Sequence, residues 1–65
     1  SDRHEDGVEE HLFVLCGTLR LVLGEQSVEV RAGQAIRFRA DIPHAYHNLS
    51  GDRCTVYNTI FYPHH

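Results

Sequence analysis

The sequence predicts an all-β domain of antiparallel strands, arranged as a sandwich or a barrel. Apolar residues alternate with polar ones along most of the chain, and the helical period is missing almost everywhere. Glycine or proline separates the apolar runs at regular intervals, as between the short strands of sandwiches and barrels. With 65 residues, the chain forms one domain at most.

Six strands are predicted from this alternation. They cover residues 10–16, 18–23, 27–31, 35–39, 44–49 and 53–62. In the first strand Glu10, Leu12 and Val14 share one face, and Gly17 ends the run. The turn at residues 24–26 joins the second and third strands, which we expect to form a hairpin.

The later strands follow the same pattern. The fourth strand places Ile36 and Phe38 on one side, and residues 41–43 turn the chain into the fifth strand. The first and last strands are apolar on both faces at several positions. We therefore expect both of them to be covered on two sides, either by a second sheet or by a neighbouring subunit.

Charge and hydropathy limit the classes of partner. The net charge is −3, and the six basic residues, all arginine, are scattered along the chain. A nucleic-acid surface needs clustered positive charge, so we expect no nucleic-acid binding through these residues. No apolar run reaches the about 18 residues that a membrane-spanning helix needs, so we expect no membrane partner.

The cysteines and the C-terminus carry little functional information. Cys16 and Cys54 are too few for a disulfide-stapled secreted scaffold. We expect two buried thiols in a reducing cytoplasm, with one structural bond between them as the alternative. His64 and His65 are either native or left from a purification tag, and we assign them no function.

Four residues have side chains that bind metals, namely His4, Asp6, Glu10 and His44. Imidazole and carboxylate together suit zinc, iron, manganese or nickel, and two histidines with one carboxylate leave positions open for a ligand. We predict His4, Glu10 and His44 as the metal ligands. Asp6 is either exposed to solvent or a contact to a bound ligand. A buried Glu10 needs a partner, and an arginine is the alternative to a metal or ligand.

Two residues share the parity of His44 on the fifth strand. We predict Tyr46 as a hydroxyl contact to a bound ligand. Asn48 either supports the ligand site through a hydrogen bond or caps a turn. His47 has the opposite parity and is expected at the surface.

Two runs, HEDGVEEHLFVLCG at 4–17 and GQAIRFRADIPHAYHN at 33–48, resemble the two motifs of the cupin family. Glu10 and Gly17 keep the spacing of the first motif, and His4 stands where its first histidine belongs. Asp6 replaces the second histidine. The second motif is matched at its glycine, histidine and asparagine, which are Gly33, His44 and Asn48 here. Its usual proline and glycine are replaced by Arg39 and Asp41.

This resemblance implies a double-stranded β-helix, the cupin jelly-roll barrel, over residues 1–65. It would be incomplete here, because six strands leave sheet edges that a closed barrel pairs. The chain is similar to cupin domains that follow a helix-turn-helix domain in bacterial regulators. That similarity implies a cytoplasmic homodimer, with the first barrel strands and the DNA-binding half upstream of Ser1.

Three functions follow from the resemblance. The first is a sensor that binds a small-molecule effector, a divalent metal ion or both. The metal can also be absent, because the second histidine is missing and many regulatory cupins use the cavity for an organic ligand alone. The second is a small metal-dependent enzyme of the dioxygenase or isomerase type, although we see no acid–base pair beyond the ligands. The third is a structural dimerisation barrel.

Overall fold

A computed structural model describes residues 7–63 of the chain, and His4 and Asp6 lie outside the described residues. The described part contains six strands and no helix, so the predicted all-β class is confirmed. The strands are β1 Glu9–Cys16, β2 Thr18–Leu23, β3 Gln26–Arg31, β4 Ala35–Arg39, β5 His44–Asn48 and β6 Thr55–Phe61. Among the described residues, no helix could span a membrane.

The strands form two antiparallel sheets of three strands each. One sheet has the order β4-β1-β6, and the other has the order β3-β2-β5. The predicted hairpin is present, with β2 and β3 paired from Thr18↔Arg31 to Leu23↔Gln26. Each sheet therefore takes strands from distant parts of the chain, because β1 pairs with both β4 and β6.

The inner faces of the two sheets enclose the apolar core. Its buried residues are Leu12, Val14, Leu19, Leu21, Val30 and Phe38. The alternation of side chains in β1 and β2 places these residues inside, as the sequence predicted. Glu10 shares the inner face of β1 with Leu12 and Val14, and it is only 3% exposed.

The prediction of two buried cysteines is wrong for Cys16, which is exposed, whereas Cys54 is partly buried. A β-bulge between Val14 and Cys16 explains the difference, because the register with β6 shifts there. The extra residue reverses the alternation, so Cys16 does not continue the inner face of Val14. The two cysteines are free thiols.

Within the described part of this chain no second sheet covers the last strand on both sides, and its cover by a neighbouring subunit stays a prediction. Every residue of β6 is exposed, including Tyr57 at 66% and Phe61 at 48%. The outer face of β1 is exposed as well, at Phe13 and Leu15. Among residues 7–63, β6 is an edge strand that pairs only with β1, and β5 is an edge strand of the other sheet. The two sheets are thus an incomplete barrel, as the sequence predicted.

Gly17 makes the tight connection between β1 and β2. Its φ of 90° lies in the left-handed region. A Cβ at this position would come within 2.9 Å of the carbonyl oxygen of Arg53. Gly33 has a similar φ of 88°, but a Cβ there would meet no atom within 4 Å. The two glycines share the same backbone requirement and differ in the space around them.

Replacing Gly17 with alanine should destabilise the protein more than replacing Gly33. Both changes cost about 1–2 kcal/mol for placing an L-residue in the left-handed region. The first change must also displace backbone at Arg53, which adds to this cost. Urea unfolding followed by far-ultraviolet circular dichroism measures both, and equal losses of stability would contradict the role of close packing at Gly17.

Candidate functional site

A buried carboxylate lies at the centre of the candidate site. Glu10 projects from the inner face of β1, and its Oε1 accepts a hydrogen bond of 2.7 Å from the Tyr46 hydroxyl. The same oxygen accepts a second hydrogen bond of 3.0 Å from Nδ2 of Asn58. These donors offset the cost of removing the carboxylate from water. Tyr46 belongs to β5 and Asn58 to β6, so both sheets contribute to the site.

His44 faces Glu10 from the opposite sheet. Its Nδ1 lies 2.9 Å from the carbonyl oxygen of Ile42, and a carbonyl only accepts, so Nδ1 carries the proton. In the neutral ring, Nε2 then presents its lone pair. This Nε2 lies 3.6 Å from Oε2 of Glu10. In the neutral ring two acceptor atoms therefore face each other across the site, whereas a protonated ring forms an ion pair with Glu10.

The turn before β5 determines the position of His44. The carbonyl of Pro43 accepts a hydrogen bond of 2.9 Å from the Gly24 N–H, which attaches the turn to the β2–β3 hairpin. His44 then pairs with Leu23 as the first residue of β5. The proline turn therefore begins the strand at the residue that points towards Glu10.

The rings of Phe38, His44 and Tyr46 contact one another next to Glu10. The Phe38 ring contacts those of His44 and Tyr46 edge to face, with centroid distances of 5.5 and 6.5 Å. The rings of His44 and Tyr46 are 5.8 Å apart in a similar arrangement. Phe38 itself pairs with Glu10 in the β1–β4 ladder. These contacts restrict rotation of the imidazole and hold it towards the carboxylate.

The Tyr46 hydroxyl remains protonated and therefore acts as a hydrogen-bond donor to Glu10. Burial raises the pKa of Tyr46, and its hydrogen bond to the Glu10 carboxylate raises the pKa further. Both effects disfavour the phenolate, which would bring a second negative charge next to Glu10. Tyr46 therefore keeps its proton at neutral pH and donates a hydrogen bond to Oε1.

A mostly apolar groove of about 360 Å³ adjoins the cluster. Its lining residues are Leu12, Leu19, Tyr46, Asn48, Cys54, Val56 and Asn58. Tyr46 and Asn58 belong to both the groove and the hydrogen-bond cluster around Glu10. The volume is at the low end of the range of about 300–1,000 Å³ for small-molecule sites, which suits a small ligand.

The structure brings Glu10, His44 and Tyr46 together, whereas Asn48 has another role. The Nδ2 of Asn48 donates to the carbonyl of Asp52, and its Oδ1 accepts from the Ser50 N–H. Asn48 thus organises the turn after β5, which was one of its two predicted roles. It also lines the groove, and its contact with a ligand stays a prediction. His4 and Asp6 also stay predictions, since they lie outside the described residues.

Asn58 is the site residue that the sequence analysis missed. It lies opposite Leu12 in the β1–β6 ladder and so shares the inner face with Glu10. A signal was present in the sequence, because Asn58 is the polar residue between Val56 and Ile60 on one face of an apolar strand. An isolated amide in such a place indicates a buried polar partner.

The two residues that replace the motif's proline and glycine form a charged pair. Nε of Arg39 donates to Oδ1 of Asp41 over 3.1 Å, and Nη2 donates to Oδ2. The Gly7 N–H also donates to Oδ2, over 3.1 Å. The Arg39 guanidinium and then the Gly7 N–H lower the pKa of Asp41. This pair connects the β4–β5 turn to the segment that leads into β1.

The facing atoms of Glu10 and His44 fit two positions of a metal site. Carboxylate oxygen and neutral imidazole nitrogen are suitable ligands for zinc, iron, manganese or nickel. Within residues 7–63, no group of three histidine, cysteine or acidic side chains could hold a metal ion. The predicted third ligand, His4, lies outside that range. The described pair therefore supplies part of the predicted set of two histidines and one carboxylate.

Two facing antiparallel sheets with an inward carboxylate and imidazole define a cupin-type domain. The family model described as "Cupin domain" matches residues 1–60, and the chain belongs to this family.

The chain is also similar to the HTH-type transcriptional regulator SutR of Escherichia coli (strain K12). The two are 35% identical over 63 residues, which is 97% of this chain. The chain spans only 35% of the length of that regulator. No solved structure matches the chain.

Replacing Tyr46 with phenylalanine should lower the free energy of unfolding by about 1 kcal/mol at neutral pH, because Oε1 loses a donor. The loss should depend on pH. The pKa of Tyr46 is raised in the folded state from its ordinary value of 10.0. Its contribution is therefore fully present below pH 10 and is lost as the pH rises further, since the unfolded chain releases the proton first.

Urea unfolding of the wild type and of Tyr46→Phe at several pH values measures this effect. The difference in stability should be constant below pH 10 and should shrink above it. His47→Gln is the control, because His47 is exposed on the same strand. A difference that does not change with alkaline pH would contradict the hydrogen bond to Glu10.

Proposed function

We propose that this chain is the sensing domain of a bacterial transcription regulator, and that it binds a small-molecule effector, a divalent metal ion or both. The binding site is the gap between Glu10 and His44, together with the adjoining groove. The facing of Glu10 Oε2 and His44 Nε2 across 3.6 Å carries this proposal. The similarity to a helix-turn-helix regulator over nearly the whole chain supports the regulatory role.

The chemistry of the gap favours a cation or a hydrogen-bond donor. In the neutral ring Nε2 of His44 is an acceptor like Oε2 of Glu10, and two facing acceptors repel each other unless a positive group lies between them. A protonated ring would instead pair with Glu10 directly, so a metal ion competes with a proton for this gap. A bound metal ion would supply that charge and open positions for an effector. The carbonyl of Ile42 already orients His44, and Tyr46 and Asn58 already orient Glu10. Binding therefore costs these side chains little additional conformational entropy.

The location of the pair supports sensing. Glu10 belongs to the β4-β1-β6 sheet and His44 to the β3-β2-β5 sheet. A ligand that contacts both residues favours the arrangement in which the two sheets are at the right distance. It therefore shifts the balance between two arrangements of the regulator, by as much as its affinities for them differ. The homodimer and the cytoplasmic location stay predictions.

Replacing His44 with alanine should abolish specific metal binding. Loss of a direct ligand should cost more than the roughly 10–100-fold in affinity that loss of an outer hydrogen-bond partner costs. Isothermal titration with zinc chloride, on protein purified without added metal, measures this. His47→Ala is the matched control, since His47 is exposed on the same strand with opposite parity. Equal affinities for wild type and His44→Ala would show that the proposed site is wrong.

The regulatory role is tested in the complete protein that carries this chain. Chromatin immunoprecipitation should recover discrete promoter segments, and recovery of no DNA above background would rule out the regulator. Transcripts from the bound promoters should change in His44→Ala cells and stay unchanged in His47→Ala cells. Steady oxygen consumption by the metal-loaded protein with a candidate substrate would instead support an enzyme.

A further inference from the structure

We infer that Tyr46 and Asn58 are positioning residues that hold the Glu10 carboxylate so that a single oxygen is offered to a bound metal ion. They occupy Oε1 and leave Oε2 facing His44, so that Glu10 binds through one oxygen. The inference rests on the proposed function, because it concerns how the same site holds its metal.

The hydrogen bonds around Glu10 are unevenly divided between its two oxygens. Both bonds that it accepts from described side chains end on Oε1, at 2.7 Å from Tyr46 and 3.0 Å from Asn58. An ionised carboxylate oxygen has about two acceptor positions, so these donors fill Oε1. Oε2 instead lies 3.6 Å from Nε2 of His44.

The two donors hold the carboxylate from different directions. Asn58 reaches it from β6, next to β1 in the same sheet, and Tyr46 reaches it from β5 in the other sheet. Turning the carboxylate so that both oxygens face His44 would break both bonds within a site where Glu10 is 3% exposed. Burial makes such a loss costly, because water cannot replace the donors.

A carboxylate held in this way favours some metals over others. First-row transition metals accept one carboxylate oxygen beside imidazole nitrogen. Calcium prefers six to eight oxygens and often takes both oxygens of a carboxylate. With Oε1 occupied by Tyr46 and Asn58, Glu10 can supply calcium with Oε2 alone. The pair of donors therefore selects against calcium.

A purely structural role is the competing explanation. Tyr46 and Asn58 would then only satisfy a buried carboxylate, and their loss would lower stability without changing metal preference. Two variants separate these roles, namely Tyr46→Phe and Asn58→Leu, since each removes one donor and keeps a similar volume. Thr59→Val is the matched control, because Thr59 neighbours Asn58 in β6 and pairs with His11 of β1.

The first measurement needs no metal. The ¹³C resonance of the Glu10 side-chain carboxylate, assigned with Glu10→Gln, should shift in Tyr46→Phe and Asn58→Leu and stay in place in Thr59→Val. If neither donor variant moves this resonance, the inference is overturned whether or not the protein binds metal.

The second measurement uses cobalt(II) and calcium. Each donor variant should lose roughly tenfold in cobalt affinity, the scale expected for an outer partner of a metal ligand. The ratio of cobalt to calcium affinity should fall, and the visible spectrum of bound cobalt should change as Glu10 offers both oxygens. Thr59→Val should keep the wild-type affinity, ratio and spectrum.

The outcomes separate this inference from the proposed function. Wild-type protein that shows no cobalt binding dependent on His44 would overturn the metal part of both. Wild-type binding with unchanged affinity ratio and spectrum in both donor variants would overturn the positioning role alone. A shift in the carboxylate resonance together with a lower cobalt-to-calcium ratio would establish it.

Discussion

The burial of one carboxylate constrains the arrangement of the whole site. Glu10 points into the space between two sheets, where an ionised group without partners is costly. Its donors come from β5 and β6, the two edge strands that border the groove. The burial of Glu10 without a large energetic cost thus depends on keeping the two sheets at a fixed distance around this side chain. The same contacts hold the carboxylate in one orientation, so the features that allow its burial also prepare the site for a ligand.

An exposed edge strand, β6, lies next to this site. β6 is exposed along its full length, and both β5 and β6 have one unpaired edge within the described residues. Edges of this kind accept further strands. β6 also provides Asn58, one of the two donors to Glu10, so a segment that covers this strand lies next to the proposed ligand site. A sensing domain needs such a connection between its site and a surface that can change.

Much of the fold follows from the sequence because alternation is a local property. All six predicted strands are present, and the face occupied by Glu10 and Leu12 is the inner one. The wrong prediction for Cys16 also has a local cause. The bulge near Leu15 reverses the alternation and exposes Cys16. No residue type in that segment predicts that β1 has one more residue there than its partner strand. For the site, residue type and the second motif led to His44 and parity then led to Tyr46, but Asn58 was overlooked within an apolar run.

The sequence by itself determined the positions of the six strands along the chain, the inward parity of Glu10 and the turn at Pro43 that begins the strand of His44. Only the tertiary structure decided that Tyr46 and Asn58 both occupy one oxygen of Glu10 and leave the other facing His44. These contacts join residues 36 and 48 positions apart in the chain. They depend on the register between strands and on the distance between sheets, and neither quantity is encoded in the periodicity of a single strand.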